Sequence, residues 1–165
     1  MDTIMATTNV DLDTIESTTS QALQAHGAEP WVADSVAHAV RVAEGYGNKI
    51  CGLYYLESYC KQLTTGRVLG NVEPEVSQPK PGSVKVDAKF GFAQPAFTRG
   101  LPAALEAATT NGIASLAICH APTCTSLGYF TEQISRAGYI AIGLTNASAC
   151  VSPPGGTKAV LGTNP

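Results

Sequence analysis

The feature that most constrains the fold is the stretch "NVEPEVSQPKPGS", residues 71–83, with three prolines and one glycine. Proline lacks a backbone donor and fixes φ, so such a run neither continues a helix nor sits in a sheet interior. It reads as an extended connector with one edge strand. On either side the hydrophobic period differs.

Before the connector the pattern is helical. In "DLDTIESTTSQALQAHG", Leu12, Ile15, Thr19 and Leu23 recur at helix spacing, and Gly27 ends the run. In "EPWVADSVAHAVRVAEGYG", Pro30 suits a first turn. Val32, Ser35, Val36, Ala39, Val40 and Ala43 make one stripe, and Gly45 and Gly47 stop it. A third helix is predicted through Leu53, Leu56, Cys60 and Leu63, ending at Gly66.

After the connector, strand and helix patterns alternate. "SVKVDAKFGF" predicts a strand and turn, and "PAFTRGLPAALEAATTNG" a helix whose start Gly100 and Pro102 weaken. A strand "IASLAI", a helix "SLGYFTEQISRAG" and a strand "YIAIGLTNAS" follow. This order predicts an α/β class: residues 1–70 as a helical region, residues 71–165 as the first part of an α/β ligand-binding domain.

Only 14% of the 165 residues are charged, against 44% hydrophobic. So little polar material predicts that some surface is covered by another chain or by a missing segment. A net charge of −3 and no basic cluster argue against a nucleic-acid partner. No run of about 18 apolar residues predicts a membrane span, and an acidic, polar amino terminus leaves the cytoplasm as the expected location. Five irregularly spaced cysteines read as reduced thiols.

The chemistry concentrates in "ICHAPTCTSLGYF", residues 118–130. Zinc needs about four converging ligands. Cys119, His120 and Cys124 have no second cluster to complete such a set, because His26, His38, Cys51, Cys60 and Cys150 stand alone in sequence. No metal is expected. Cys124 precedes a helix N-terminus, where a thiolate is favoured. The plainer alternative has Cys119 ending a buried strand, with His120 and Thr123 lining a strand-to-helix loop, the usual place for ligands in open α/β layers. Asp87 either caps a turn or faces a site. The glycine- and proline-rich end, "VSPPGGTKAVLGTNP", offers backbone donors, a hydroxyl and an amide to an anion.

Four landmarks taken together resemble one family: "CGLYYLESYCKQLTTGRV", "VDAKFGFAQ", "NGIASLAICHAPTCTSLGYFTEQISRAGYIAIGLTN" and "PPGGTKAVLGTNP". The chain resembles the amino-terminal half of the malate/L-lactate dehydrogenase family, which includes ureidoglycolate, sulfolactate and cyclic-imine-carboxylate enzymes. The resemblance implies a non-Rossmann α/β fold, a homodimer, NAD or NADP as cofactor, and a missing second half or chain. It also implies cofactor contacts from Thr123, Thr125, Gly162, Thr163 and Asn164.

Departures from the family pattern bear on the chemistry. Cys51 stands where the family carries the proton-donating histidine of a Ser-His-Gly motif, and Tyr55 where an arginine often pairs with the substrate carboxylate. Thr123 replaces a usual histidine, His120 has arisen three positions earlier, and Ala88 and Ala93 replace two glycines of a turn. A thiol is a weaker acid–base partner at neutral pH than an imidazole, and a phenol cannot form a bidentate ion pair.

The expectation is a diverged reductase of a small 2-oxo/2-hydroxy or cyclic imino acid. Cys51, Tyr55 and His120 are its candidate catalytic residues, with His120 standing in for the lost imidazole. The alternative is the α chain of a processed two-chain enzyme that performs hydrolase or lyase chemistry without a nicotinamide, its second chain opening on a new nucleophile. A third expectation is an inactive paralogue serving as an assembly partner.

Overall fold

The structure, a computed structural model, describes residues 8–122 and 124–163. They form two compact units that divide between Thr125 and Ser126.

The first unit opens with helices α1 (Leu12–Ala25) and α2 (Pro30–Gly45). Asp11 caps α1, its carboxylate accepting from the Thr14 N–H and hydroxyl at 2.7 Å each. Pro30 occupies the first turn of α2 as predicted. The predicted third helix is shorter than its pattern: 3-10 turns at Lys49–Cys51 and Leu53–Tyr55 precede α3 (Leu56–Thr64). Gly52 interrupts the register there, and its position leaves no room for a Cβ beside the Glu44 side chain. The Leu53 N–H donates to Glu44 Oε1 at 2.8 Å, so one carboxylate of α2 braces the turn carrying Cys51.

The connector supplies β1 (Glu75–Lys80), exposed along its whole length, as Pro79 in an edge strand requires. β1 pairs antiparallel with β2 (Ser83–Asp87), and β2 pairs parallel with β3 (Ser115–Cys119). The crossover between β2 and β3 is α4 (Ala93–Asn111). The α/β class read from the sequence is therefore observed, with a small mixed sheet in the order β1-β2-β3.

Gly100 has a different role from the one predicted. A Cβ there would come within 2.5 Å of Val86 Cγ2 and 2.8 Å of Leu116 Cδ1. Its missing side chain lets α4 lie against the sheet, and the helix runs through it and through Pro102.

Two buried clusters hold this unit. One gathers Leu23, Val32, Val36 and Val40 from α1 and α2 with Tyr59, Leu63, Val68 and Phe92. The other packs Val84, Val86 and Ala88 of the sheet side against Ala96, Ala104 and Ala107 of α4.

The second unit begins with α5 (Leu127–Arg136). Residues 139–148, predicted as a strand, are extended with strictly alternating exposure, yet pair with no strand among the described residues. Thr131 and Leu127 of α5 crowd Gly143, so one face of this segment rests on α5. The other face presents Ile140, Ile142 and Leu144 at 98%, 86% and 82% exposure. The period-2 pattern was legible; what the described residues do not provide is a neighbouring strand to complete the ladder. Val151 and Leu161 then form an antiparallel bridge around a turn at Pro153–Gly156, where the Gly156 N–H donates to the Pro153 carbonyl at 2.9 Å.

Candidate functional site

Asp87 and Cys119 end neighbouring parallel strands and are direct register partners. Strand alternation would send the next side chain, His120, to the opposite face. His120 instead adopts φ +52°, in the left-handed region, and its ring turns back to Asp87. His120 Nδ1 lies 2.9 Å from Asp87 Oδ1. Phe90 stacks on the imidazole with ring centres 5.2 Å apart at 30°, and the His120 side chain stays half exposed.

Asp87 serves both roles the sequence left open. Its Oδ1 accepts from the Lys89 N–H at 2.8 Å, capping the turn, and also from His120. The Lys89 amide first, and the His120 contact second, hold its carboxyl below the usual range.

The 119–125 loop is fastened to the 88–94 turn at three points. The Ala88 N–H donates to the Cys119 carbonyl at 3.0 Å and the Phe90 N–H to the His120 carbonyl at 2.8 Å. Gln94 Nε2 donates to the Cys124 carbonyl at 3.3 Å. Gln94 is almost fully buried at the start of α4.

A second cluster forms around Tyr59, fully buried in α3. Its hydroxyl donates to Thr125 Oγ1 at 3.1 Å. Burial pushes this phenol up to about 12; the thiols of Cys51 and Cys124 add to the rise, and hydrogen bonds to Thr125 and Gln94 oppose it. Tyr55 packs beside it, ring centres 5.9 Å apart. Cys51, Tyr55, Thr125 and Cys124 thus gather about one phenol, which joins the helical front to the loop.

Of the residues singled out by sequence, His120 pairs with Asp87, while Cys51, Tyr55 and Thr125 share the Tyr59 cluster. Gly162 and Thr163 follow the Val151–Leu161 bridge in the second unit, Gly162 half-buried and Thr163 exposed. Thr123 and Asn164 lie outside the described residues. Sequence reasoning missed Tyr59 and Gln94. A tyrosine beside the apolar stripe of α3 was the available signal for the first; nothing local marked the second. It also left Asp87 out of the metal count. Asp87, Cys119 and His120 bring ligand atoms within 4.8 Å of one another, a grouping that only the strand register reveals.

Comparison with known proteins places the chain. Residues 10–165 match the malate/L-lactate dehydrogenase family throughout. The chain belongs to that family. A Δ1-pyrroline-2-carboxylate/Δ1-piperideine-2-carboxylate reductase of Pseudomonas aeruginosa is 33% identical over 93% of this chain and 46% of its own. A (2R)-3-sulfolactate dehydrogenase (NADP(+)) of Chromohalobacter salexigens is 33% identical over 94% and 46%. Among solved structures, the Δ1-piperideine-2-carboxylate reductase of Pseudomonas syringae superposes with a TM-score of 0.85 at 29% identity, covering 96% of this chain and 48% of that one. The malate dehydrogenase of Pyrococcus horikoshii gives 0.87 at 26%, covering 96% and 45%.

The chain therefore spans about half the length of the family members it matches. Those relatives are reductases and dehydrogenases, and no finding supports the hydrolase or lyase alternative. No helix among the described residues is long and apolar enough to cross a membrane.

Proposed function

We propose that this chain is the amino-terminal half of an NAD(P)-dependent reductase acting on a small 2-oxo acid or cyclic imino acid. The observation that carries this reading is family membership over residues 10–165, joined to a polar cluster at the carboxyl ends of β2 and β3. One relative is named for a cyclic imine with a carboxylate beside its C=N bond, and another for sulfolactate, a 2-hydroxy acid whose oxidation gives a C=O bond in the same place.

The residues present suit a nicotinamide dinucleotide. The N-terminus of α5 has no side-chain cap at Ser126 and no acid in its first turn, a setting whose helix dipole favours a phosphate. In the first unit Thr125 offers a hydroxyl; in the second, Gly162 and Thr163 offer backbone amides and a hydroxyl. We assign Thr123, Thr125, Gly162, Thr163 and Asn164 to cofactor contacts. The nicotinamide supplies hydride; the protein has to orient the acceptor, exclude water and deliver a proton. His120 is the proton donor in this reading, with Cys51 and Tyr55 lining the substrate position beside Tyr59.

The remaining wall of the cleft belongs to a carboxyl-terminal half, in the same polypeptide or a companion chain, and that whole unit assembles as a homodimer in the cytoplasm. The exposed apolar face at Ile140, Ile142 and Leu144 supports the further half: an extended segment so apolar suits sheet neighbours.

The test is titration of the assembled protein with NADPH, following nicotinamide fluorescence, and then reduction of Δ1-piperideine-2-carboxylate and pyruvate. Saturable binding with turnover is expected. Absence of cofactor binding would overturn the proposal, and binding without turnover of either substrate would point to an inactive assembly partner.

A further inference from the structure

We propose that Asp87 and His120 form a proton-delivery dyad, with Asp87 the positioning residue that fixes the imidazole tautomer so that His120 Nε2 faces the reacting bond. The inference rests on the reductase reading above and adds a residue and a geometry to it.

An ionised carboxylate only accepts hydrogen bonds. Asp87 Oδ1 lies 2.9 Å from His120 Nδ1, so Nδ1 carries hydrogen whether the ring is neutral or charged. Nε2, on the far side of the ring, is then the nitrogen that gains and loses a proton. Asp87 is fixed in turn by the Lys89 amide at 2.8 Å. Phe90 limits ring rotation by stacking, and the Phe90 N–H grips the His120 carbonyl at 2.8 Å. Two contacts thus orient the ring and one holds its backbone, while the side chain stays 53% exposed. The left-handed φ of +52° at His120, the residue just past β3, turns its ring back to Asp87 at the end of β2, where strand alternation would send it to the other face. Such outliers are kept where the surroundings over-determine them.

The step balances with the groups named. The reduced nicotinamide, when bound, would supply hydride to the carbon of the C=N or C=O bond. The π electron pair moves onto nitrogen or oxygen, and that atom takes the proton from His120 Nε2. The ring is left neutral with its Nδ1–H still donated to Asp87. Asp87 stays ionised throughout, and solvent restores the Nε2 proton.

The first measurement is independent of activity. Long-range 1H–15N correlation on the ¹⁵N-labelled full chain, with any companion it purifies with, reads the tautomer of neutral His120. The Nδ1–H form is expected, with reversion to the Nε2–H form in Asp87→Ala. The second is kinetic. Asp87→Ala and His120→Gln should each lower kcat for imine or ketone reduction by roughly 100-fold, with NADPH binding by fluorescence unchanged. The double variant should lose no more than the worse single one, as for residues acting as a unit.

Asp87→Asn keeps an acceptor for the Lys89 amide while removing the charge, and it carries the test if circular dichroism shows the alanine variant unfolded. It too should lose activity. The dyad is rejected if wild-type His120 is the Nε2–H tautomer, or if Asp87→Asn turns over like wild type. It is also rejected if chelators abolish activity while exposing Cys119 to alkylation, which would assign Asp87, Cys119 and His120 to a metal. Failure of wild type to bind NADPH sinks the reductase reading alone, since the tautomer is still read directly.

Discussion

The two units of this chain treat apolar side chains in opposite ways. In residues 8–125, Val84, Val86, Phe92 and Tyr59 are sealed inside two clusters. In residues 126–163, Ile140, Ile142 and Leu144 alternate along an extended segment and almost all of their surface meets water. The first unit buries its main apolar stripes with its own elements, although Ile50, Tyr54 and Ile113 stay exposed. The second states a pattern and leaves it open among the described residues, the face on which the proposed carboxyl-terminal half would dock.

The largest effect that would break this contrast lies in the closed cluster. Phe92, buried and edge-on to Tyr59 at 5.4 Å, should cost about 3–5 kcal/mol when changed to alanine, read by urea denaturation. A loss near zero would mean the cluster is not the cohesive core described. Next comes Gly100→Val, which forces a side chain between α4 and the sheet where Val86 Cγ2 already stands 2.5 Å from an added Cβ. Overpacking of this kind should destabilise by roughly 1–3 kcal/mol, measured as a fall in the urea midpoint with unchanged slope.

Tyr59→Phe should cost about 1 kcal/mol at neutral pH, the worth of one net hydrogen bond. Its pH signature is sharper. Folding raises this phenol from 10.0 to about 12, so its contribution is complete below pH 10 and disappears as pH climbs through about 12. Wild type should lose melting temperature over that interval while Tyr59→Phe loses less, and phenolate absorbance should show one of the six tyrosines titrating late. The smallest effect belongs to the open strand. Ile142→Ser should alter the stability of the chain alone by no more than about 0.5 kcal/mol, yet weaken association with a carboxyl-terminal half in a pull-down. Equal loss in both experiments would contradict the idea that this face is waiting for neighbours.

Much of the architecture was legible in the sequence because it depends on local period. Pro30 announced α2, the prolines after Asn71 announced an exposed edge strand, and alternation marked residues 139–148. The 3-10 start of the third helix at Leu53–Tyr55 was not legible, since the turn before it is set by Gly52 lying against the Glu44 side chain. The site was legible in part. His120 stood out as a displaced imidazole, but its partner depended on β2–β3 register and on one left-handed residue, neither encoded in spacing. Tyr59 and Gln94 were hidden because a buried polar group looks like any other residue until its partners are seen.

The left-handed backbone at His120 carries a practical warning. Histidine in that conformation is roughly 1 kcal/mol or more worse off than glycine. Anyone screening this chain for heat resistance would find glycine at position 120 an attractive hit. Whatever backbone strain the clone relieved, it would have given up the Asp87 hydrogen bond, the Phe90 stacking and the imidazole itself.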